Sequence, residues 1–137
     1  MKISSNSKCL CNSDKKYKKC CKPFHDGVLP TLAVELMRSR FCAFALNKPD
    51  YIIKTTHETN SDFTSDLKSW TEDIETFCAN TNFTGLDILE EINGVDESFV
   101  SFKATLLQNG QDASFKEKSR FLKVENRWVY VDGTFFE

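Results

Sequence analysis

Apolar residues along this chain recur first with a helical period and then with a period of two. LAVELMRSRFCAFAL (32–46) consists of helix-compatible residues throughout, with Thr31 placed as an N-cap and Asn47 as a stop. Pro49 suits the first turn of a second, shorter helix running through YIIKTTH to about His57. A third helix is predicted over 63–80, where Phe63, Leu67, Trp70, Ile74 and Phe77 form one apolar stripe.

Beyond Asn80 the alternation becomes that of strands. GLDILEEI (85–92) reads as the first, ended by Asn93-Gly94. In SFVSFKATLL (98–107), Val100, Phe102, Ala104 and Leu106 share one face, with Ser101, Lys103 and Thr105 on the other. NGQD (109–112) is a turn, FKEKSRFLKVE (115–125) a strand, Asn126 a tight turn and RWVYVDG (127–133) the last strand. Helices followed by a four-stranded antiparallel meander predict an α+β fold, with helices on one face of a curved sheet. A sheet wrapped in this way leaves a conical pocket at its open end.

Length and composition add an appendage to this picture. The 137 residues suit one domain over 28–137 preceded by a small unit over 1–27, which Pro23 and Gly27 close. No apolar run approaches the roughly 20 residues of a membrane helix. MKISSNSK has no apolar stretch of the kind that secretion signals carry, so a cytoplasmic location is expected. Residues 1–25 hold seven lysines against Asp14 alone, a net +6. The other 112 residues keep 11 basic and 19 acidic groups, a net −8. Such a basic face on an acidic body suits an acidic protein surface or nucleic acid, and equally suits the two parts lying against each other.

The appendage carries the most specific chemistry. Cys9, Cys11, Cys20 and Cys21 are spaced C-x-C-x8-C-C. Two close pairs of thiolates can close a tetrahedron around zinc, the structural metal of such sites. Adjacent cysteines do not easily bridge each other, and disulfides between the pairs would need an oxidising compartment. A redox site would more often show C-x-x-C beside a βαβ pattern, which is absent. With four cysteines available, His25 is expected beside the metal rather than on it. The lysines either face a partner or offset the thiolate charge. Tyr17 and Phe24 alone offer little for base stacking, so a protein partner is favoured over nucleic acid.

CLCNSDKKYKKCC resembles the SEC-C motif, a short zinc-binding unit also found on the translocation ATPase SecA. Leu10, Asn12 and Asp14 stand where most members have Pro, Gly and Gly. ELMRSRFCAF (35–44), DYIIKTTH (50–57) and KSRFLKVENRWVYVDG (118–133) resemble the YchJ-like family of bacterial proteins. That resemblance implies an N-terminal zinc motif joined to a nuclear transport factor two-like domain, a curved sheet and helices forming a cone. It carries no established activity.

Candidate pocket residues follow from the pattern. Arg38 and Arg40 lie about 200° apart around their helix, so one at most is expected to face the core, with Asp132 or another strand carboxylate as its partner. His57 closes the second helix. Arg120 alternates with Leu122 and Val124, and Trp128, Tyr130 and Asp132 are read on one strand face. Arg40, His57, Arg120, Tyr130 and Asp132, if they converge, form an acid–base pocket for a small anionic ligand. Cys42 and Cys78 read as small core residues. No G-x-S-x-G, P-loop or dinucleotide glycine pattern is present. Two functions are therefore expected to compete. One is a non-catalytic zinc-binding module with a docking face and a ligand pocket. The other is a small-molecule enzyme acting through His57 or Asp132.

Overall fold

A computed structural model describes residues 3–137. The N-terminal unit forms one 3-10 turn, Tyr17–Lys19, and a short helix α1, Lys22–His25. Three helices follow: α2 (Ala33–Ala45), α3 (Pro49–Lys54) and α4 (Leu67–Ala79). Strands β1 (Thr81–Ile92), β2 (Glu97–Gln108), β3 (Gln111–Asp112), β4 (Phe115–Val124) and β5 (Arg127–Phe136) complete the chain. The strands pair antiparallel with one another, in the order β1-β2-β4-β5, with the two-residue β3 folded back on β2. Among the described residues no helix is long and apolar enough to cross a membrane.

Local chemistry sets most boundaries. Glu35 reaches back to the N–H groups of Thr31 and Leu32 and to the Thr31 hydroxyl, so the carboxylate closes the first turn of α2 and the N-cap is Leu32. Asp66 caps α4 by accepting from the Ser69 N–H. Phe63 therefore precedes that helix, and its ring packs edge-on against Trp70 at 5.4 Å. Strand β1 starts four residues before the expected Gly85, and irregularities at Thr84 and Leu89 let it pass that glycine without losing its pairing. Glu125 and Asn126 both take positive φ, 51° and 66°, which makes the β4–β5 hairpin tight.

The inward face of β2 matches its alternation, with Val100, Phe102, Ala104 and Leu106 buried. These residues meet Leu36, Phe41, Trp70, Ile74 and Phe121 in one core. Helix α3 is shorter than the pattern suggests and ends at Lys54. Its continuation, 55–57, lies beside β5 instead: Thr56 bridges Tyr130 in parallel, and the two chains exchange Tyr130 N–H to Thr55 O and His57 N–H to Tyr130 O, each 2.8 Å. The Trp128 indole N–H donates to Thr31 O, tying the same strand to the start of α2.

Leu36 is wholly buried on α2 between the sheet and the N-terminal unit. Leu36→Ala is expected to lower unfolding stability by about 2–5 kcal/mol, the usual range for a core leucine cavity. Urea denaturation measures it, and a loss under about 1 kcal/mol would mean that this junction relaxes freely.

Candidate metal centre and cavity

The cysteine unit is built from tight turns. Asn12 and Asp14 adopt left-handed backbone, φ 63° and 66°, at the two positions where related motifs use glycine. Short polar side chains tolerate this region better than other non-glycine residues, so the departures preserve the turn. Lys8 and Lys16 pair in an isolated bridge, and Cys9 N–H donates to Lys15 O, which folds the loop back on itself. The 3-10 turn and α1 then carry Cys20 and Cys21 to the same place.

The four sulfurs of Cys9, Cys11, Cys20 and Cys21 lie within 4.8 Å of one another. Tetrahedral thiolate coordination with bonds near 2.3 Å gives sulfur–sulfur edges of about 3.8 Å. The Cys11–Cys20 and Cys20–Cys21 separations, 3.5 and 3.9 Å, bracket that value. The donor set therefore fits a metal ion, with Cys9, Cys11 and Cys21 buried and Cys20 half-buried beside the Ser13 hydroxyl. Hydrogen bonds from the Cys11 and Cys21 side chains hold the Cys9 thiol down at about 6, while burial pushes Cys20 up to about 11. A metal bound by such a closed thiolate set supplies a crosslink between turns, and its binding releases thiol protons.

A fifth sulfur joins them. Cys42 of α2 is the small buried core residue expected, but it does not stand apart from the motif: its Sγ lies 3.7 Å from that of Cys9. Nothing in LMRSRFCAF shows this, because the contact spans 33 residues and depends on how the unit docks. The same docking uses Arg38, whose Nη1 donates to Cys11 O at 2.7 Å and reaches Cys11 Sγ at 3.8 Å. Both arginines of α2 are thus turned toward neighbours, one to the unit and one to the cone.

His25 provides the third link. Its Nε2 faces the carbonyl of Ser39 at 2.8 Å, and a carbonyl only accepts, so Nε2 carries the proton. Nδ1 then accepts from the Tyr17 hydroxyl at 2.7 Å. Burial holds the imidazole below its ordinary pKa, consistent with this neutral tautomer. The ring also packs edge-on against Tyr51 at 4.8 Å.

The cone encloses a cavity of about 240 Å³, lined by Arg40, Glu117, Ser119, Tyr130 and a set of phenylalanine rings. A second, more polar cavity of about 530 Å³ shares Arg40, Phe44, Asp62, Phe77 and Tyr130 with it. The five expected residues do not converge. Arg40 and Tyr130 meet there, with the guanidinium carbon 4.7 Å from the ring centroid. Arg120 and Asp132 do not: Arg120 alternates with the cavity-facing Ser119 and Phe121 on β4, and β5 carries an extra residue before Asp132. Phe121 pairs with Tyr130 and Arg120 with Asp132, so Val131 is bulged and the inward–outward alternation reverses across it. Asp132 therefore binds Arg120 through two contacts of 3.1 and 3.2 Å on the opposite face, with Glu97 nearby, and is not the partner of Arg40. His57 is held by its backbone beside β5, and its ring turns to Thr59 outside either cavity.

Arg40 finds oxygens instead of a carboxylate. Its Nη1 donates to Thr55 Oγ1 at 2.7 Å, and to Thr56 Oγ1 and Ile52 O at 3.1 Å each. Burial pulls its pKa down to about 10, so the group stays charged at neutral pH. Glu117 lies on the cavity side of β4 with Phe115, Ser119 and Phe121. The alternation F-x-E-x-S-x-F holds this signal, which the Arg120, Leu122, Val124 alternation obscures. Tyr130 Oη donates to Glu117 Oε2 at 3.1 Å, and the Ser119 hydroxyl donates to the same oxygen. A Cβ at Gly133 would overlap the Glu117 carboxyl group, so glycine there lets Glu117 lie over β5 toward Tyr130.

His25→Ala removes two part-buried hydrogen bonds and is expected to cost about 1–2 kcal/mol of stability while metal content stays unchanged. Denaturation beside elemental analysis checks both, and loss of the metal in this variant would make His25 a ligand.

Comparison with known proteins agrees with both halves. The family model described as the YchJ middle NTF2-like domain matches residues 32–133. A UPF0225 protein of Actinobacillus succinogenes is 37% identical over 132 residues, covering 92% of this chain and 80% of that protein. The solution structure of a SEC-C motif containing protein from Rhodopseudomonas palustris superposes with a TM-score of 0.83 at 28% identity, covering 96% of this chain and all of that one. A crystal structure of a SEC-C motif containing protein from Psychrobacter arcticus gives 0.79 at 29% identity, covering 97% of this chain and 85% of that one. A cysteine-rich unit docked on a cone of this topology, with this sequence match across it, places the chain in the YchJ-like family.

Proposed function

We propose that this protein is a non-catalytic binding module whose metal is a structural zinc. Its lysine face docks an acidic protein partner, and its cone holds a small ligand. Four thiol donors with no carboxylate or water-bearing vacancy suit zinc in a closed, structural role. Thiol ligands at this spacing must stay reduced to hold a metal, and we place the protein in the cytoplasm on that ground.

One observation carries the docking reading. Lys15, Lys16, Lys18 and Lys19 are exposed, and among the described residues none of their ammonium groups pairs with a carboxylate or touches a cysteine sulfur. Arg38 and Ser13 contact the sulfurs instead. The lysines are therefore not needed to offset the thiolates locally, and their charge faces solvent. Tyr17 is buried with its hydroxyl on His25, which removes the one central aromatic that could stack on a base. The competing enzymatic reading through His57 or Asp132 has both side chains outside the cavities.

Metal analysis of purified protein is expected to find about one zinc per chain. Changing the four lysines to glutamate should leave that value and the fold intact while releasing partners that the unaltered protein retains at low salt. Retention that ignores both the charge reversal and added salt would remove the docking face. Binding of a DNA duplex stronger than that of any acidic protein would redirect it to nucleic acid.

A further inference from the structure

We propose that the inner cavity takes a small aromatic molecule of zero net charge, whose polar head carries both a hydrogen-bond acceptor and a donor, as an amide does. This rests on the reading of the cone as a ligand site and specifies what that ligand is.

The argument begins with Arg40. Its hydrogen bonds to protein all leave Nη1, which meets three oxygens; Nε and Nη2 have no protein acceptor among the described residues. Among the described residues every fully enclosed side-chain nitrogen and oxygen has a partner, so these two nitrogens are not sealed off and face the open space of the two adjoining cavities that Arg40 lines. A buried guanidinium with unused donors calls for an acceptor from outside the chain.

Charge then decides what kind of acceptor. Glu117 lines the same cavity on the other side of Tyr130, which links the two: the guanidinium lies over the ring, and the phenol donates to Oε2. Oε1 of Glu117 accepts from no protein group among the described residues. The cavity thus offers one cationic donor and one carboxylate acceptor, and Asp62 adds a second carboxylate at the exposed rim. A ligand carboxylate would satisfy Arg40 while meeting Glu117 with like charge; a ligand ammonium would do the reverse. A neutral head with a carbonyl and an N–H meets both groups without either penalty.

The remaining wall fixes the body. Seven phenylalanines line the cavity, Phe41, Phe83 and Phe121 among them, and Phe41 and Phe83 already pack edge to face at 5.7 Å. Such walls favour another flat ring over a polar or bulky group. A volume of about 240 Å³ equals that of roughly eight liquid waters, which admits a single-ring molecule.

Three probes of matched shape test this on the full, metal-loaded chain by calorimetric titration: phenylacetamide, phenylacetate and phenethylamine. Phenylacetamide is expected to bind about tenfold more tightly than either charged analogue. Glu117→Gln keeps the shape and removes the carboxylate, and should raise phenylacetate affinity about tenfold while phenethylamine loses what binding it had. Because Arg40 also anchors Thr55 and Thr56, Arg40→Leu is read only after its fold is verified, and should weaken the amide. Phenylacetate outranking the amide in the unaltered protein, or a ranking unmoved by Glu117→Gln, overturns the ligand class while leaving a ligand site. Failure of all three at millimolar concentration overturns the cavity as a site, and neither result bears on the lysine face.

Discussion

Between Leu36 and Phe44, helix α2 carries side chains toward two bodies at once, and both depend on its polar groups finding partners away from water. Arg38, the Ser39 carbonyl and Cys42 meet the cysteine unit, at Cys11, His25 and Cys9. Arg40, Phe41 and Phe44 meet the cavity. A helix enclosed on two sides can keep a charged group only where enough oxygens or a second charge surround it. Arg38, only half-buried, meets that condition with the Cys11 carbonyl and sulfur. Arg40 meets it with two threonine hydroxyls and a carbonyl, supplied by the end of α3. That is why α3 stops early: Thr55 and Thr56 are needed beside Arg40, and their hydroxyls in turn donate to the Tyr51 and Ile52 carbonyls.

The second constraint is a single inserted residue. With Val131 bulged, β5 turns Tyr130 inward and Asp132 outward, although a regular strand would present them together. The bulge therefore separates an exposed ion pair, Arg120 with Asp132, from a buried polar line, Arg40, Tyr130, Glu117 and Ser119. The exposed pair adds little to stability. The buried line determines what the cavity can accept. Gly133 belongs to the same device, because a side chain there would push the Glu117 carboxyl group away from Tyr130.

These two constraints also mark what could be read from the residues alone. Period-two and helical patterns locate α2, β2, β4 and β5, since the repeating contact of each lies within its own segment. The four motif cysteines were equally legible, because all lie within thirteen residues and chemistry restricts what such a set can do. Cys42 was not, since its neighbour Cys9 is brought there by docking. The bulge was not either: V-Y-V-D reads as a regular strand, and only the register against β4 shows the extra residue. His57 was misplaced for a related reason, because its segment leaves the helical path to pair with β5.

Docking of the unit has a consequence for the cone. Residues 9–25 contribute no strand to the sheet, yet they cover the face of α2 opposite the cavity and approach β1, where Asn12 Nδ2 comes within 3.7 Å of a side-chain position at Gly85. A unit this small buries too little apolar surface to hold its turns without a crosslink. Metal binding in such a site is folding free energy, and here it is expressed at the surface that keeps α2 in place. One helix thus carries Arg38 and Cys42 against the sulfurs on one face and Arg40 at the cavity wall on the other. On the binding-module reading proposed above, such a metal site acts on the cavity only through this shared helix, without touching a ligand.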